Sequence, residues 1–312
     1  MTTALVLLNP RAAGGRAAAL RVPVAQWLAR HAPIVPLVVT DCIEQAHATL
    51  RSLPDSSRVV AIGGDGTLHH LMGPAIERRH ALALVPLGSG NDTARALGLF
   101  PMPWTPALQH ALTAPAVAVD VGEMSCAHGK VGFVSSLCAG FDAAVCARTV
   151  AGPRWLGGMP RYLWATLREL AALRTWDLCV SVDGRVEHAG SALFASTCNT
   201  PTFGGGMPAI PDARIDDGRL DLLLAGAFGR AGALRMLPRL VAGTHLRDRR
   251  IATWGYTTLN VRSRTPIPLA ADGEPLEAVA EFDVRIRASA LAVVIGPGRS
   301  ALARSTQPRA VA

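Results

Sequence analysis

The sequence predicts a doubly wound α/β domain at the N-terminus followed by a mainly β, sandwich-type domain. Three observations carry this reading. Over the first third, short apolar runs alternate with helix-length stretches, the rhythm of parallel strands joined by helical crossovers. Two of those runs end in glycine-rich turns that carry a carboxylate, Gly63-Gly64-Asp65-Gly66-Thr67 and Gly88-Ser89-Gly90-Asn91-Asp92. After residues 117–121 the chain becomes mostly strand-like, punctuated by Gly, Pro and Asp. The domains are read as residues 1–123 and 124–298. A tail at 299–312, rich in Ala, Arg and Pro, is expected to fray or to pack back on the first domain.

Residues 4–8, 34–39, 59–62 and 82–86 read as buried strands, their Val, Ile and Leu runs suiting a parallel sheet covered on both faces. Helices are expected over 17–30, 43–53, 66–78 and 93–97, with Pro23 an interior residue that kinks the first. Three prolines make residues 101–106 read as loop. The second half offers strands at 131–136, 177–182, 191–198, 220–225, 256–261 and 281–287. Long helices there are predicted only at 160–173 and 230–242. No internal repeat or low-complexity segment is present.

The two glycine turns fall on one edge of such a sheet, where folds of this class place ligands. Bare N–H groups at the start of the following helix suit a phosphate. Asp65 would repel one directly, so Mg²⁺ is the expected bridge; the alternative is a tight turn with Asp65 capping the helix. Thr67 and Ser89 offer hydroxyls to phosphate oxygens, while Asn91 or Asp92 suits a helix cap. Asp65, Asp92 and Asp120 are three carboxylates at strand ends, expected to converge on one cleft and hold Mg²⁺. No Gly-x-x-x-x-Gly-Lys-[Ser/Thr] loop occurs, which excludes the Walker type of phosphate cradle.

With 312 residues, half of them hydrophobic and 17% charged, the chain supports a sizeable core and is not disordered. The net charge of +8 is nearly all arginine, Lys130 being the sole lysine. That balance favours nucleotide phosphates or anionic lipid headgroups, or reflects a solvated arginine-rich surface. Aromatics at 5%, with no basic–aromatic interleaving, argue against nucleic acid. The six cysteines show no zinc spacing and are expected to pack as small hydrophobes in a reducing compartment. No leader and no membrane span is expected.

The two turns together resemble the diacylglycerol-kinase-type catalytic domain family of bacterial lipid kinases, related to sphingosine and ceramide kinases. Asn9-Pro10, Phe203-Gly204-Gly205-Gly206-Met207, Asp216-Asp217-Gly218-Arg219-Leu220-Asp221 and Asp272-Gly273-Glu274-Pro275 continue the likeness in the family's order, over roughly residues 5–296. The resemblance implies the same two-domain fold and a phosphotransferase with an alcohol acceptor, a lipid kinase using ATP and Mg²⁺. Nucleotide contacts map to Asn9, Thr40, Gly63, Gly64, Asp65, Gly66, Thr67, Ser89, Asn91 and Asp92. Thr40 reads equally as a cap on the helix that follows. Glu274 maps to the base that takes the acceptor's proton, assisted by Asp272 and Asp65. Asp217, with the carbonyls of Arg214 and Arg219, maps to a second, structural Mg²⁺. The partner implied is a membrane lipid met at the bilayer surface, diacylglycerol by default. Anionic lipid as activator and a homodimer are further expectations, and the location implied is cytoplasmic, peripheral at the inner membrane. The segment Trp155-Leu156-Gly157-Gly158-Met159-Pro160, flanked by Arg154 and Arg161, reads as an interfacial lid or as a buried loop.

One departure stands out. Relatives continue the first glycine motif with Asn-Glu, where this chain has His69-His70. His69 is expected to replace the asparagine as a neutral hydrogen-bonding group, and His70 removes a charge. Adjacent helical positions diverge by about 100°, which argues against the pair as metal ligands. The alternatives to a lipid kinase are an NAD kinase, which shares the Gly-Gly-Asp-Gly turn, and a relative that binds nucleotide or lipid without catalysis.

Overall fold

The computed structural model describes residues 3–297 except 89, 154 and 157; the expected tail lies outside them. The first domain opens with β1 (Ala4–Leu8) and a kinked 3₁₀ stretch (Ala12–Leu20), then α1 (Arg21–His31), β2 (Leu37–Val39) and α2 (Ile43–Ser52). It continues through β3 (Arg58–Gly63), α3 (Asp65–Glu77), β4 (Ala81–Pro86), α4 (Asp92–Ala96) and α5 (Trp104–Thr113). Strands β2, β1, β3 and β4 lie side by side and parallel. Alternation along them sorts the core into two layers. Val6, Leu8, Val60, Ile62, Ala83 and Val85 pack with α1 and α5, whereas Leu7, Val59, Ala61, Leu82 and Leu84 pack with α2 and α3. The predicted doubly wound arrangement is what the structure shows.

Two local expectations change. Ala13, Gly14 and Gly15 have positive φ, so regular helix begins only at Arg21. Pro23 thereby falls in the first turn of α1, where its missing N–H has no intrahelical partner to lose. The proline-rich stretch read as loop contains the start of α5. Pro106 sits in that helix's first turn, and Ala107, Leu108 and Ala111 bury one face.

The second part begins with β5 (Ala116–Cys126), β6 (Gly129–Phe133), β7 (Ser136–Ala139), α6 (Phe141–Ala151) and α7 (Gly158–Ala171). Then come β8 (Trp176–Val182), β9 (Arg185–Cys198), the short hairpin β10 (Thr202–Phe203) and β11 (Met207–Pro208), β12 (Leu220–Gly226) and α8 (Arg230–Val241). Strands β13 (Ile251–Tyr256), β14 (Thr258–Ala271) and β15 (Glu274–Val294) complete it. Antiparallel pairing of β12, β9, β7, β8, β14 and β15 encloses a core built on Phe133, Leu222, Tyr256 and Phe282. Helix α6 was not predicted: its Ala, Val and Thr carry little of the helical period.

The two parts are joined through the sheet itself. Strand β15 begins beside β14, pairs antiparallel along β5, and ends parallel to β4 at Ala292 and Val293. One strand 21 residues long therefore belongs to both domains, a register no sequence window shows.

Candidate active site

The carboxyl ends of β1, β3 and β4 meet the Gly204–Gly205 turn, the Asp272–Glu274 turn and α6 around a cleft of about 740 Å³. On the first domain, β3 runs into Gly63 and Gly64, and α3 starts at Asp65. Asn9 Nδ2 donates to Thr67 Oγ1 at 3.1 Å, tying the β1 turn to the α3 start. Asn9, Gly64, Asp65, Gly66, Thr67 and Asp92 all line the cleft. Close approach explains the glycines: a Cβ on Gly64 would lie 2.6 Å from the Gly88 backbone.

Asp65 caps a helix, though the later one. Its carboxylate accepts the N–H groups of Asp92 and Thr93 at 3.0 Å each, at the start of α4. Withdrawal from water and the neighbouring Asp92 charge raise its pKa to about 6 against these bonds. Asp92 in turn accepts Thr202 Oγ1 at 2.7 Å and the Gly205 and Gly206 N–H groups at 2.8 Å each. Gly204, Gly205 and Gly206 all have positive φ, a turn that three L-residues with side chains would strain. Asp92 thus pins this turn of the second part onto the first domain.

Asp272 and Gly273 have φ of 49° and 90° and form the tight turn between β14 and β15. The buried Asp272 carboxylate accepts N–H groups from Val134, Ser135 and Ser136 and meets His69 Nδ1 at 3.0 Å. Glu274, next along, projects over the start of α3: a Cβ on Gly66 would lie 2.6 Å from its Oε1. Asp272 is therefore a positioning residue, fixed on four sides, and Glu274 is the carboxylate that reaches the glycine turn. Gly66→Ala is expected to displace Glu274 and lower turnover by roughly 10²-fold while the fold survives; kcat and melting temperature measured together check this.

Several expected residues lie elsewhere. Asp120 does not converge with Asp65 and Asp92; it is buried outside the cleft lining, accepting the N–H groups of Gly218 and Ser289 at 2.7 Å each. Burial raises its pKa against those two bonds, and the charges of Asp217 and Asp216 add to the rise. The reason is β15, which carries Ser289 alongside β5, away from the β3 and β4 ends. Thr40 spends its hydroxyl on Gln45 Oε1 and the Cys42 N–H ahead of α2, leaving Asp41 and Ile43 to line the cleft. Asn91, at φ 57°, closes the Gly88 loop through two hydrogen bonds to that glycine's backbone. Arg214, Asp217 and Arg219 lie outside the cleft lining, with Asp217 Oδ1 accepting the Arg219 N–H at 3.1 Å. Ser89 is outside the described residues.

His69 is held closer to its charged form than the neutral substitute expected of it. Burial opposes its charge, yet the hydrogen bond to Asp272 and the charges of Asp272 and Glu274 outweigh this and raise its pKa above 6.5. His70 lines the cleft with its pKa lowered by burial and by His69. The two rings meet edge to face with centroids 5.3 Å apart. Missed entirely were Asp142, Cys146 and Tyr162, which line the far end of the cleft from α6 and α7. Ser196 Oγ donates to Asp142 at 2.6 Å, and burial raises the Asp142 pKa. The Gly140-Phe141-Asp142 turn after a strand was the one signal available.

The cleft lining holds Asp41, Asp65, Asp92, Asp142, Asp272 and Glu274 against Arg11 and Arg161. Such a surface binds an anionic nucleotide only with a cation to offset it. Among the described residues no group of three His, Cys, Asp or Glu side chains has metal spacing. A cation offsetting this charge would be held by one or two of these carboxylates and complete its shell with water, as Mg²⁺ commonly does.

Comparison with known proteins identifies the family. The diacylglycerol kinase catalytic domain family matches residues 3–124, and the YegS C-terminal NAD kinase beta sandwich-like domain matches residues 135–295. A diacylglycerol kinase of Mycobacterium tuberculosis is 28% identical over 86% of this chain and 87% of its own length. A Chromohalobacter salexigens protein named as a YegS-like lipid kinase is 32% identical, with 70% of each chain covered. A solved structure from Bacillus anthracis str. Sterne superposes with a TM-score of 0.75 at 20% identity, covering 95% of this chain and 98% of that one, a likeness of fold. The chain belongs to the diacylglycerol kinase catalytic domain family in its YegS-like branch, and it is a phosphotransferase with an alcohol acceptor.

Proposed function

We propose that this protein transfers the γ-phosphoryl group of ATP to a lipid hydroxyl at a bilayer surface, diacylglycerol being the default acceptor. The observation that carries the reading is Glu274, held over Gly66 by a turn that Asp272 anchors from four directions. A carboxylate there meets a hydroxyl entering from the α6–α7 end while the glycine turns hold the phosphates. Glu274 takes the hydroxyl proton as the hydroxyl oxygen bonds to the γ-phosphorus and the bond from that phosphorus to the bridging oxygen breaks, releasing ADP. The N–H groups around Gly64–Thr67 orient the nucleotide, and Asp92 keeps the Gly204–Gly206 turn closed against it. Mg²⁺, when bound near Asp65 and Asp92, neutralises phosphate charge.

The acceptor is tested by Mg²⁺- and ATP-dependent transfer to diacylglycerol, sphingosine, phosphatidylglycerol and a polyprenol in mixed micelles, with NAD as soluble control. A phosphorylated lipid establishes the reading and names the acceptor; labelled NADP moves the protein to the NAD kinase alternative. ATP binding without product supports a catalytically silent relative.

The metal reading makes its own prediction. Asp65 must ionise to attract a cation, so the Mg²⁺-dependent part of ATP affinity should rise with pH through about 6. Asp65→Ala should abolish that dependence; an unchanged profile by calorimetry removes Asp65 from the metal site. The structural Mg²⁺ belongs to the same proposal. A cation at Asp217 with the Arg214 and Arg219 carbonyls would relieve the negative charge pressing on Asp120. A Mg²⁺-dependent rise in melting temperature without nucleotide, lost in Asp217→Asn, checks it.

A further inference from the structure

Two stretches outside the nucleotide end of the cleft carry the chain's excess of positive charge. Residues 148–174, holding α7, and 230–250, holding α8, contain eleven arginines against Glu169 and Asp248. That surplus exceeds the +8 of the entire chain. The same stretches hold most of the large apolar side chains left in water among the described residues. Val150 is 57% exposed, Trp155 83%, Leu163 50%, Leu167 48%, Leu234 52% and Val241 65%. Trp155 thereby departs from the buried-loop reading.

The spacing is helical and the two helices adjoin. Leu163 and Leu167 stand one turn apart on α7, Leu234 and Val241 two turns apart on α8, and α7 packs beside α8. An open notch of about 490 Å³ beside α8 is lined by Arg235, Arg239 and Arg250 with Asp248 alone as counter-charge. Val150 and Arg161 also line the cleft, so this face runs into the acceptor end of the site. Leucines and a tryptophan set in an arginine field suit the headgroup–acyl boundary, where apolar tips insert and guanidinium groups meet lipid phosphates. A second copy docked face to face would bring the same arginine surplus against itself, which like-charge repulsion opposes.

We propose that the α7–α8 face docks this protein on an anionic bilayer, with the Arg235–Arg239–Arg250 notch receiving a lipid phosphate and the cleft mouth turned toward the membrane. The assignment of this face to acceptor delivery rests on the lipid-kinase reading; adsorption to lipid without nucleotide does not.

The test is sedimentation of the full chain, without ATP, with vesicles of phosphatidylcholine alone or with about one third phosphatidylglycerol. Anionic vesicles should bind at least roughly ten-fold more strongly, with the difference shrinking as salt rises. Arg235→Glu with Arg239→Glu should weaken anionic binding by roughly thirty-fold or more, and Leu163→Ser with Leu167→Ser by roughly ten-fold. Both double variants should keep wild-type turnover on a short-chain, monomeric diacylglycerol, which also shows that they fold. Equal binding to neutral and anionic vesicles, or unchanged binding in both variants, overturns the proposal. So does a change in oligomeric state with vesicle binding intact, which would make this face a contact between copies. Vesicle binding of the expected pattern with no phosphorylated lipid sustains the surface and sinks the kinase reading instead.

Discussion

Glu274→Gln should lower turnover by roughly 10²–10⁴, the share a general base contributes, while ATP affinity stays at the wild-type level. The amide keeps the size and the hydrogen-bonding edge of the carboxylate but cannot take a proton. The turn that carries it is held by Asp272, through the Val134, Ser135 and Ser136 N–H groups and His69, so the substitution leaves the backbone in place. The proposed nucleotide contacts lie at the ends of β1, β3 and β4, which is why binding and turnover should separate. Equilibrium binding and single-turnover rates on one preparation decide it. A variant with near-normal rate would place the base elsewhere, and Asp142 at the far end of the cleft would be the next carboxylate to test.

Asp92→Ala should lower stability as well as nucleotide binding. It removes the acceptor for Thr202 Oγ1 and for the Gly205 and Gly206 N–H groups. An unpaired buried donor costs about 1–3 kcal/mol and these three are half-buried, so a loss of about 2 kcal/mol is expected. Asp92→Asn keeps one oxygen acceptor and should lose less. The same bonds hold the Gly204–Gly206 turn against the first domain, so both variants should also bind nucleotide more weakly. Denaturant midpoints of the two variants against wild type check the ordering. A loss below about 1 kcal/mol for the alanine variant would show that water replaces the carboxylate there.

The pH response of the His69–Asp272 pair has a defined sign. A histidine whose folded pKa is raised stabilises fully below its unfolded value and loses that contribution as pH climbs through the folded one. Stability attributable to His69 should therefore decline above about 6.5, and Asp272→Asn should flatten the decline.

Much of this protein was legible in its residues. The continuous apolar runs at β1, β3 and β4, the glycine turns behind them and the Asp-Gly turn before Glu274 act over a few residues each. Local sterics and unbroken apolar runs therefore determined the α/β domain, the two glycine turns and the Asp-Gly turn that carries Glu274. What tertiary structure alone decided is how those pieces meet. Asp120 looked like a third cleft carboxylate, yet the pairing of β5 with β15 sends it to Gly218 and Ser289 instead. Asp65, read as a Mg²⁺ bridge with capping of its own helix as the alternative, caps α4, while Asp92 reaches Thr202, Gly205 and Gly206, residues more than a hundred positions away. His69, read as a neutral substitute, gains its charge preference from Asp272 across the domain boundary. A side chain's type and its local turn are written in neighbouring residues; the partner that sets its charge and its role depends on long-range strand register, which no short stretch of sequence contains.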